Sequence, residues 1–489
     1  MKTDIIRTFH ALPLLAGAVL LAGCMVGPDY HRPGAPRDNR YTAQPMPATI
    51  GDTQHFVAGM DVPAQWWTLF RSPQLDALIQ QALKANPNLA AAQAALRQAQ
   101  EAQAAGNGAL FPQVTADYNV QRQRVAGTLS SPTASNAWYY TLHTAQLEVS
   151  WAPDLFGGNR RQLEALRAQT DVQRFQLQAA RLSLTSNVVV AAIQQAGLRA
   201  QIAATRKIIA TQQQTLDSFR RQLTLGQLAP AEVAAQVAAL AQAQAMLPPL
   251  QKQLDQQNDA IAALLGQSPA GAAVTNFNLT DLHLPDTLPL SLPAQLVAQR
   301  PDVRAAEAQL HAACAEVGVA IASRLPKFTL SANAGSSPTN ISDLFKDGSA
   351  FWNLAADVSE PLFDAGTLRH QQRAAEAALD EAKAQYRGTV IAALQNVADT
   401  LYALKADADA LQAAQVSERA AEHSLDINRR QFELGDVDHL AVLQAEQTWQ
   451  QAEIALVQAQ VARYSDTAAL FQALGGGWWR DPRGGTAAR

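Results

Sequence analysis

The sequence predicts a mainly α-helical chain with membrane β-strands, built from one strand-helix unit that occurs twice. Three observations carry this prediction. Segments recur at fixed spacing, four short stretches alternate with period two, and two proline-free helical runs each exceed sixty residues. Asn86-Pro87-Asn88-Leu89 returns as Arg300-Pro301-Asp302-Val303, and Phe111-Pro112 as Leu325-Pro326, both 214 residues on (301 − 87, 326 − 112). Val149-Ser150 returns as Val358-Ser359, and Arg220-Arg221-Gln222-Leu223-Thr224-Leu225-Gly226 as Arg429-Arg430-Gln431-Phe432-Glu433-Leu434-Gly435, both 209 residues on (358 − 149, 435 − 226). A repeated period of this kind marks one duplicated architectural unit rather than two unrelated domains. Five residues were gained or lost between Pro112 and Val149, the difference between the two spacings.

Taken in order, the chain opens on an export signal at residues 1–23. Lys2 and Arg7 give a positive start, and Ala11 to Gly23 is apolar but too short for a spanning helix, which needs about 20 residues. Leu21-Ala22-Gly23-Cys24 resembles the bacterial lipobox, so Cys24 is expected to become the acylated first residue of a mature lipoprotein. Met25 rather than aspartate follows it, which in such lipoproteins implies sorting to the outer membrane. Residues 24–72 are then expected to form a lipidated, extended arm, because Pro28, Pro33, Pro36, Pro45, Pro47 and Pro63 prevent regular structure.

The first repeat spans 73–285 and the second 286–474. From Pro73 to Ala105 the apolar residues Leu75, Leu78, Ile79, Ala82 and Leu83 recur at helical spacing, and Gly106-Asn107-Gly108 ends the run. A β-hairpin follows at about 111–151, in which Val114, Ala116, Tyr118 and Val120 alternate with polar residues. Its counterpart at about 326–360 alternates in the same way through Phe328, Leu330, Ala332, Ala334 and through Trp352, Leu354, Ala356, Val358. Alternation alone also describes a half-buried soluble sheet. Strand lengths near the ~9–11 residues of membrane strands favour a barrel instead. Trp138, Tyr139, Tyr140, Trp151, Phe351 and Trp352 are the expected aromatic girdles.

Each hairpin leads into a long helix, 159–225 and 367–434, broken by no proline and containing only Gly197 and Gly388. Each such run makes a rod of about 100 Å at 1.5 Å per residue. Each rod ends at Leu-Gly and returns as a shorter helix, 231–265 and 439–474, the first expected to kink at Pro248-Pro249. Alanine-rich stripes allow close helix approach and glutamine-rich faces tolerate water, as a solvent-filled helical tube requires. Residues 475–489 form a C-terminal tail.

Composition excludes several functions. Charged residues are 16%, and the net charge is −4 from 38 basic and 42 acidic residues with no basic block, so no nucleic-acid partner is expected. Cys314 is the one cysteine left after Cys24, so no intrachain disulfide is available. Its spacing from His311 resembles a metal pair, but helical context without further ligands makes it a small core residue. No metal or cofactor is expected. Enzyme motifs such as Gly-x-Ser-x-Gly, a P-loop or His-Glu-x-x-His are absent, and the carboxylates Asp407 and Asp409 read as a solvated helix face. The chain is therefore not expected to be an enzyme. Four strands per chain leave two open edges, which lipid does not tolerate. Closing a barrel takes at least about eight strands, so two or more copies must combine.

The residues resemble the outer membrane factor family, the TolC-like and in particular OprM-type lipoprotein channels of tripartite efflux systems. The likeness rests on Cys24-Met25-Val26-Gly27-Pro28-Asp29-Tyr30 with Arg32-Pro33, on Trp66-Trp67-Thr68-Leu69-Phe70 leading into Pro73-Gln74-Leu75-Asp76-Ala77-Leu78-Ile79, on Arg300-Pro301-Asp302-Val303-Arg304-Ala305-Ala306-Glu307, and on Ala473-Leu474-Gly475-Gly476-Gly477-Trp478. It implies a homotrimer whose twelve-stranded barrel in outer-membrane lipid continues as a long periplasmic α-barrel. It also implies a periplasmic adaptor (membrane fusion) protein and an inner-membrane transporter of RND or related type as partners. The implied function is an exit channel for drugs, dyes, organic acids and other small amphiphiles. Leu225, Gly226, Leu434 and Gly435 match the tips on which adaptors pack. Leu440 and Gln444 match the periplasmic gate, although glutamine stands where many members carry aspartate. The alternatives are an outer-membrane channel for polypeptide secretion and a periplasmic coiled-coil lipoprotein that never spans the membrane.

Overall fold

The computed structural model of the chain describes residues 25–51, 54–129, 131, 133, 135–271 and 275–480; the expected signal peptide, Cys24 and residues 481–489 lie outside them. In chain order the elements are β1 (Thr49–Ile50), β2 (Gln54–Ala58), α1 (Pro73–Ala85), α2 (Pro87–Asn107), β3 (Gln113–Arg124), β4 (Tyr139–Trp151), α3 (Gly158–Thr224) and α4 (Pro230–Leu264). They continue with β5 (Thr287–Leu290), α5 (Pro293–Gln299), α6 (Pro301–Ala322), β6 (Lys327–Ser336), β7 (Ala350–Ser359), α7 (Thr367–Leu434) and α8 (His439–Ala473). From α1 onwards, the order helix-helix-strand-strand-helix-helix occurs twice, as the repeat requires.

Two boundaries differ from the sequence expectation. The helical run predicted from Pro73 to Ala105 is two helices, because Asn86 precedes a proline and takes an extended conformation (ψ 123°). Its side-chain oxygen then caps α2, accepting from the Asn88 and Leu89 amides at 2.9 and 3.1 Å. Arg300-Pro301 makes the equivalent break between α5 and α6. Part of the expected free arm is also ordered in a sheet: β1 pairs antiparallel with β2, and β2 pairs parallel with β5. Ile50, Gln54 and Leu288 are buried there, and the Gln54 amide donates to the Pro285 carbonyl at 2.9 Å. By contrast, α4 continues as a helix through Pro248-Pro249. Pro248, Pro249 and the residues Gln244 and Ala245, whose carbonyls the prolines leave without a donor, are all exposed, so water can satisfy the freed groups.

The chain divides into two compact units, one comprising the described residues up to Pro33 with Leu96–Gln173 and Ala306–Tyr386. Its centre is a four-stranded antiparallel sheet in the order β3-β4-β6-β7, so the hairpins of the two repeats lie side by side through β4 and β6. β3 and β7 are its open edges. Paired residues share a face and successive residues alternate, so the register sorts the side chains. One face carries Val114, Ala116, Tyr118, Leu147, Val149, Ala332, Leu330, Trp352, Leu354 and Val358; the other carries Gln113, Thr115, Asp117, Glu148, Gln146, Asn333, Asn353 and Asp357. The apolar face is open to its surroundings: Val114, Tyr118, Leu147, Leu354 and Val358 are all more than half exposed. Such a face suits hydrocarbon, and the opposite face suits water.

The register corrects two members of the expected girdles. Tyr140 pairs with Gln123 and Phe351 with Gly335, which puts both rings on the polar face. Tyr140 is buried there and accepts a hydrogen bond from the Gln123 amide. Tyr139 and Trp352 remain on the apolar face near the hairpin loops, and Trp151 on the same face at the helix-connected end.

The second unit holds Gly34–Ala95, Arg174–Ala305 and the chain from Arg387 onwards. Its core explains two of the sequence motifs. Trp66 is fully buried and stacks on Phe471 at 5.3 Å, with Phe70 edge-on at 6.4 Å. Arg300 reaches the Ala473 carbonyl at 2.9 Å while its other nitrogens hold Asp302 at 2.6–3.0 Å, and Trp478 donates to the Gln299 carbonyl at 2.7 Å. These contacts fasten the start of α6 to the end of α8.

Candidate functional site

Both predicted tips close with the same hydrogen-bond pattern. At the end of α3 the Gln227 amide donates to the Gln222 carbonyl (2.9 Å) and the Gly226 amide to Leu223 (3.0 Å). At the end of α7 the Asp436 amide donates to Gln431 (2.9 Å) and the Gly435 amide to Phe432 (3.0 Å). This is the Schellman termination, which needs a left-handed residue. Gly226 and Gly435 supply it at φ +71° and +80°. A Cβ on either glycine would meet nothing within 4 Å, so the requirement is conformational and the surface around it is open. Beside the glycines, Leu225 and Leu434 are 70% and 77% exposed. Each tip thus offers an isolated apolar side chain on a rigid turn.

Beneath the second tip, His439 starts α8 almost fully buried, edge-on to Phe219 at 4.2 Å and to Phe432 at 5.7 Å. Burial lowers its pKa, with Glu232 and Asp438 opposing the shift, so the ring is held neutral. It is a packing residue of the turn and does not reach the surface. Asp438 caps the helix through the Ala441 amide at 3.0 Å. Leu440 and Gln444 then fall one turn apart on the exposed face of α8, whereas Val442, Leu443 and Ala445 are buried on the other. Val442 and Ala445 pack with Leu425, Phe432 and Trp449, and Arg429 holds Glu446 at 2.9 Å. Leu440 is therefore an unsupported apolar side chain, 56% exposed, on a face kept rigid from behind.

The residues just after Cys24 are docked, and this explains their motif. Gly27 has φ +93°, and a Cβ there would lie 2.5 Å from the Gly318 Cα, so two backbones meet without side chains between them. Arg161, 1% exposed near the start of α3, donates to the Val26 carbonyl (3.1 Å), to Asp29 (2.8 Å) and to Glu164 (2.8 Å). Burial opposes its charge, but the bonds to Asp29 and Glu164 outweigh this and raise its pKa. Glu164 also bonds His311 at 2.8 Å, whose ring stacks on Tyr30 at 4.2 Å, and Arg32 pairs with Glu307 at 2.9 Å. Cys314, buried, faces the Pro28 carbonyl at 3.6 Å, and burial raises its thiol pKa. His311 and Cys314 thus serve the arm, and no group of three metal-ligating side chains occurs among the described residues. Nothing in the sequence marks Arg161 beyond its place in an arginine pair at a helix start.

Asp407 departs from a solvated helix face. It is half-buried, and burial together with neighbouring Asp466 pushes its pKa up to about 7. Arg463, 2% exposed, donates to the Leu404 carbonyl nearby. Asp409 is exposed as expected.

Comparison with known proteins agrees with this architecture. The family model described as outer membrane efflux protein matches residues 78–267 and 292–476, one segment in each repeat. The pyoverdine export outer membrane protein OpmQ of Pseudomonas aeruginosa is 29% identical over 97% of this chain and 98% of its own length. The protein of the same name in Pseudomonas putida is 31% identical over 85% and 89%. Among solved structures, the outer-membrane channel OprN superposes with a TM-score of 0.83 at 29% identity, covering 93% of this chain and all of that one. VceC of Vibrio cholerae superposes at 0.79 and 28%, covering 85% and all of it.

Proposed function

The chain belongs to the outer membrane efflux protein family, and from that premise we propose that three copies pool their strands into one barrel with adaptor-binding tips and a leucine constriction. It is an outer-membrane exit channel for efflux. The observation that carries the trimer is the β3-β4-β6-β7 sheet itself, with two unpaired edges and one apolar face. Each edge amide or carbonyl left open in hydrocarbon costs several kcal/mol. Joining β3 of one copy to β7 of the next satisfies them all. Eight strands from two copies leave an interior filled by side chains, whereas twelve leave a passage.

In this reading Leu225, Gly226, Leu434 and Gly435 receive a periplasmic adaptor, which links the channel to an inner-membrane transporter of RND or related type. Leu440 forms an apolar ring at the periplasmic end, and Gln444 a neutral ring above it. Cys24 carries the acyl chains that place the arm in the inner leaflet of the outer membrane. The channel carries out no chemistry. Relatives with similar identity are named for pyoverdine export and for toluene efflux, which supports a duct that passes whatever small amphiphile its pump delivers.

The test is Gly435→Trp in cells that depend on this channel. The Cβ at this position faces open space at φ +80°, so the indole projects from the tip and also strains the turn that carries it. Efflux is expected to stop while protein level and trimer remain. Unchanged drug resistance in that variant rules out the tip as the docking surface. A purified Cys24→Ser chain that stays monomeric and soluble without detergent rules out the barrel.

A further inference from the structure

The apolar face of β3 ends in two charges. Alternation along the strand runs Val114, Ala116, Tyr118, Val120, then Arg122 and Arg124, all on one side. Both arginines are exposed, and among the described residues neither has an ion pair. Arg124 lies over the Tyr139 ring at 5.1 Å, and the register sets Thr141 opposite Arg122. The hairpin loop that follows, residues 125–138, contains no charged residue at all. On the second hairpin Asp343 is held by Lys346 at 2.7 Å, leaving Asp347 as the other charge near that end.

Depth decides what these arginines meet. Trp151, the aromatic residue of the apolar face at the helix-connected end of β4, is the reference level and lies one residue beyond the Gln113–Ser150 pair. With about 3.4 Å per residue and a tilt near 40°, Arg122 stands roughly 26 Å and Arg124 roughly 31 Å above that level. The apolar band of such barrels is about 25 Å tall. An arginine facing lipid costs about 2–4 kcal/mol at mid-bilayer but about 0–1 at the interface, so both residues stand where a guanidinium is tolerated. The outward interface of an outer membrane is lined with the phosphates of its glycolipid. Guanidinium is the side chain best matched to phosphate, through paired N–H donors and weak hydration.

We propose that Arg122 and Arg124 bind phosphate groups of the phosphorylated glycolipid in the outer leaflet, with Tyr139 holding the Arg124 guanidinium at the interface. This rests on the strands forming the outer-membrane barrel. Three copies would display three such sites around the rim, each fixing one glycolipid against the outside of the channel.

The experiment uses the full-length, detergent-purified protein and its Arg122→Gln/Arg124→Gln variant. Each is titrated with bisphosphorylated lipid A, with enzymatically dephosphorylated lipid A and with inorganic phosphate, followed by native mass spectrometry. The wild type is expected to bind bisphosphorylated lipid A at least tenfold more tightly than the variant does. Dephosphorylated lipid A is expected to bind both proteins equally weakly, and millimolar inorganic phosphate not to compete. Equal affinity of wild type and variant for bisphosphorylated lipid A overturns the proposal. So does equal affinity of the wild type for the two lipids, and tight binding of free phosphate assigns the site to a soluble anion instead. If the double variant does not assemble, Arg122→Lys/Arg124→Lys keeps the charge, and the single glutamine variants are each expected to show part of the loss. Trimer mass and single-channel conductance are measured on the same preparations. An assembled, conducting wild type without phosphate preference refutes this site alone, whereas a wild type that forms no pore refutes the channel reading.

Discussion

Replacing Arg161 with alanine should free the arm that follows the lipid anchor. Among the arm's contacts with Arg161 are two of unequal strength. The bond to the Val26 carbonyl (3.1 Å) is charge-assisted and made by a guanidinium that is 1% exposed, which is worth about 1.5–3 kcal/mol. The pair with Asp29 (2.8 Å) is shorter, but Asp29 is 75% exposed and solvent screening holds it to at most about 1 kcal/mol. Together they contribute about 1.5–4 kcal/mol. One decade per 1.4 kcal/mol makes the undocked arm roughly 10- to 700-fold more populated in the variant.

Amide hydrogen exchange reads this directly, because the Val26 amide donates to the Phe156 carbonyl at 3.1 Å only while the arm is docked. Exchange at Val26 is expected to accelerate by about two orders of magnitude in Arg161→Ala. Arg161→Lys should recover little of it, since one ammonium cannot reach the Val26 carbonyl, Asp29 and Glu164 at once. An exchange rate in Arg161→Ala within threefold of the wild type refutes the assignment of Arg161 as the clamp of the arm.

Two further outcomes test the tip and the constriction. Burial lowers the His439 pKa below its usual 6.5, so the unfolded turn binds more protons than the folded one as pH falls below that value. The contribution of His439 to tip stability is therefore complete above pH 6.5 and is lost as pH falls towards the lowered pKa. Protection of the Gly435 and Asp436 amides, taken relative to their intrinsic exchange rates, should fall as pH drops below 6.5, and His439→Phe should remove that dependence; an equal loss of protection in the variant rules His439 out as its origin. For the constriction, Leu440→Ala should raise single-channel conductance and drug permeability in bilayers, while Gln444→Asp should shift selectivity towards cations. Conductance unchanged by Leu440→Ala removes Leu440 from the narrowest point.

The repeat, the hairpins and the long helices were legible because each is set by local pattern. The 209-residue spacing of the two Leu-Gly segments predicts equal turns, and the two Schellman closures have matching bonds. Period-two alternation placed the strands of both hairpins within a few residues. The expected aromatic positions were legible only in part, since Tyr140 and Phe351 stand next to Tyr139 and Trp352 on the apolar face and only the register shows that they face the other way. The small sheet of β1, β2 and β5 was hidden because its parallel pair joins His55 to Thr287, a pairing that no local signal announces. Arg161 and Asp407 were hidden for the same reason. Their burial depends on Val26, Glu164 and His311 in one case and on Asp466 in the other, most of them distant in sequence or on another helix. Short-range pattern fixes elements; the charges buried between them are fixed by packing.

Duplication also separates the two ends of the proposed mechanism. The tips are alike: both carry glycine with positive φ, open space at the Cβ and an exposed leucine just before it. Helix starts after the tips are not alike. The 209-residue spacing pairs Leu440 and Gln444 with Ala231 and Ala235, so neither the leucine nor the glutamine has a counterpart in the first copy. Both alanines are exposed, which leaves that helix start with a short side chain at each of the two levels. His439 likewise corresponds to Pro230, and no aromatic-packed histidine supports the first turn. A trimer would therefore offer an adaptor six nearly equivalent turns but close its bore with three leucines and three glutamines. Docking can then exploit pseudo-sixfold repetition while the constriction keeps only threefold symmetry. Exchanging Ala231 for leucine tests that division. It adds three more leucines at the same helical level and should lower conductance without touching Gly226 or Gly435, and so without weakening adaptor binding. A loss of binding in Ala231→Leu equal to its loss of conductance contradicts the separation of the two tasks.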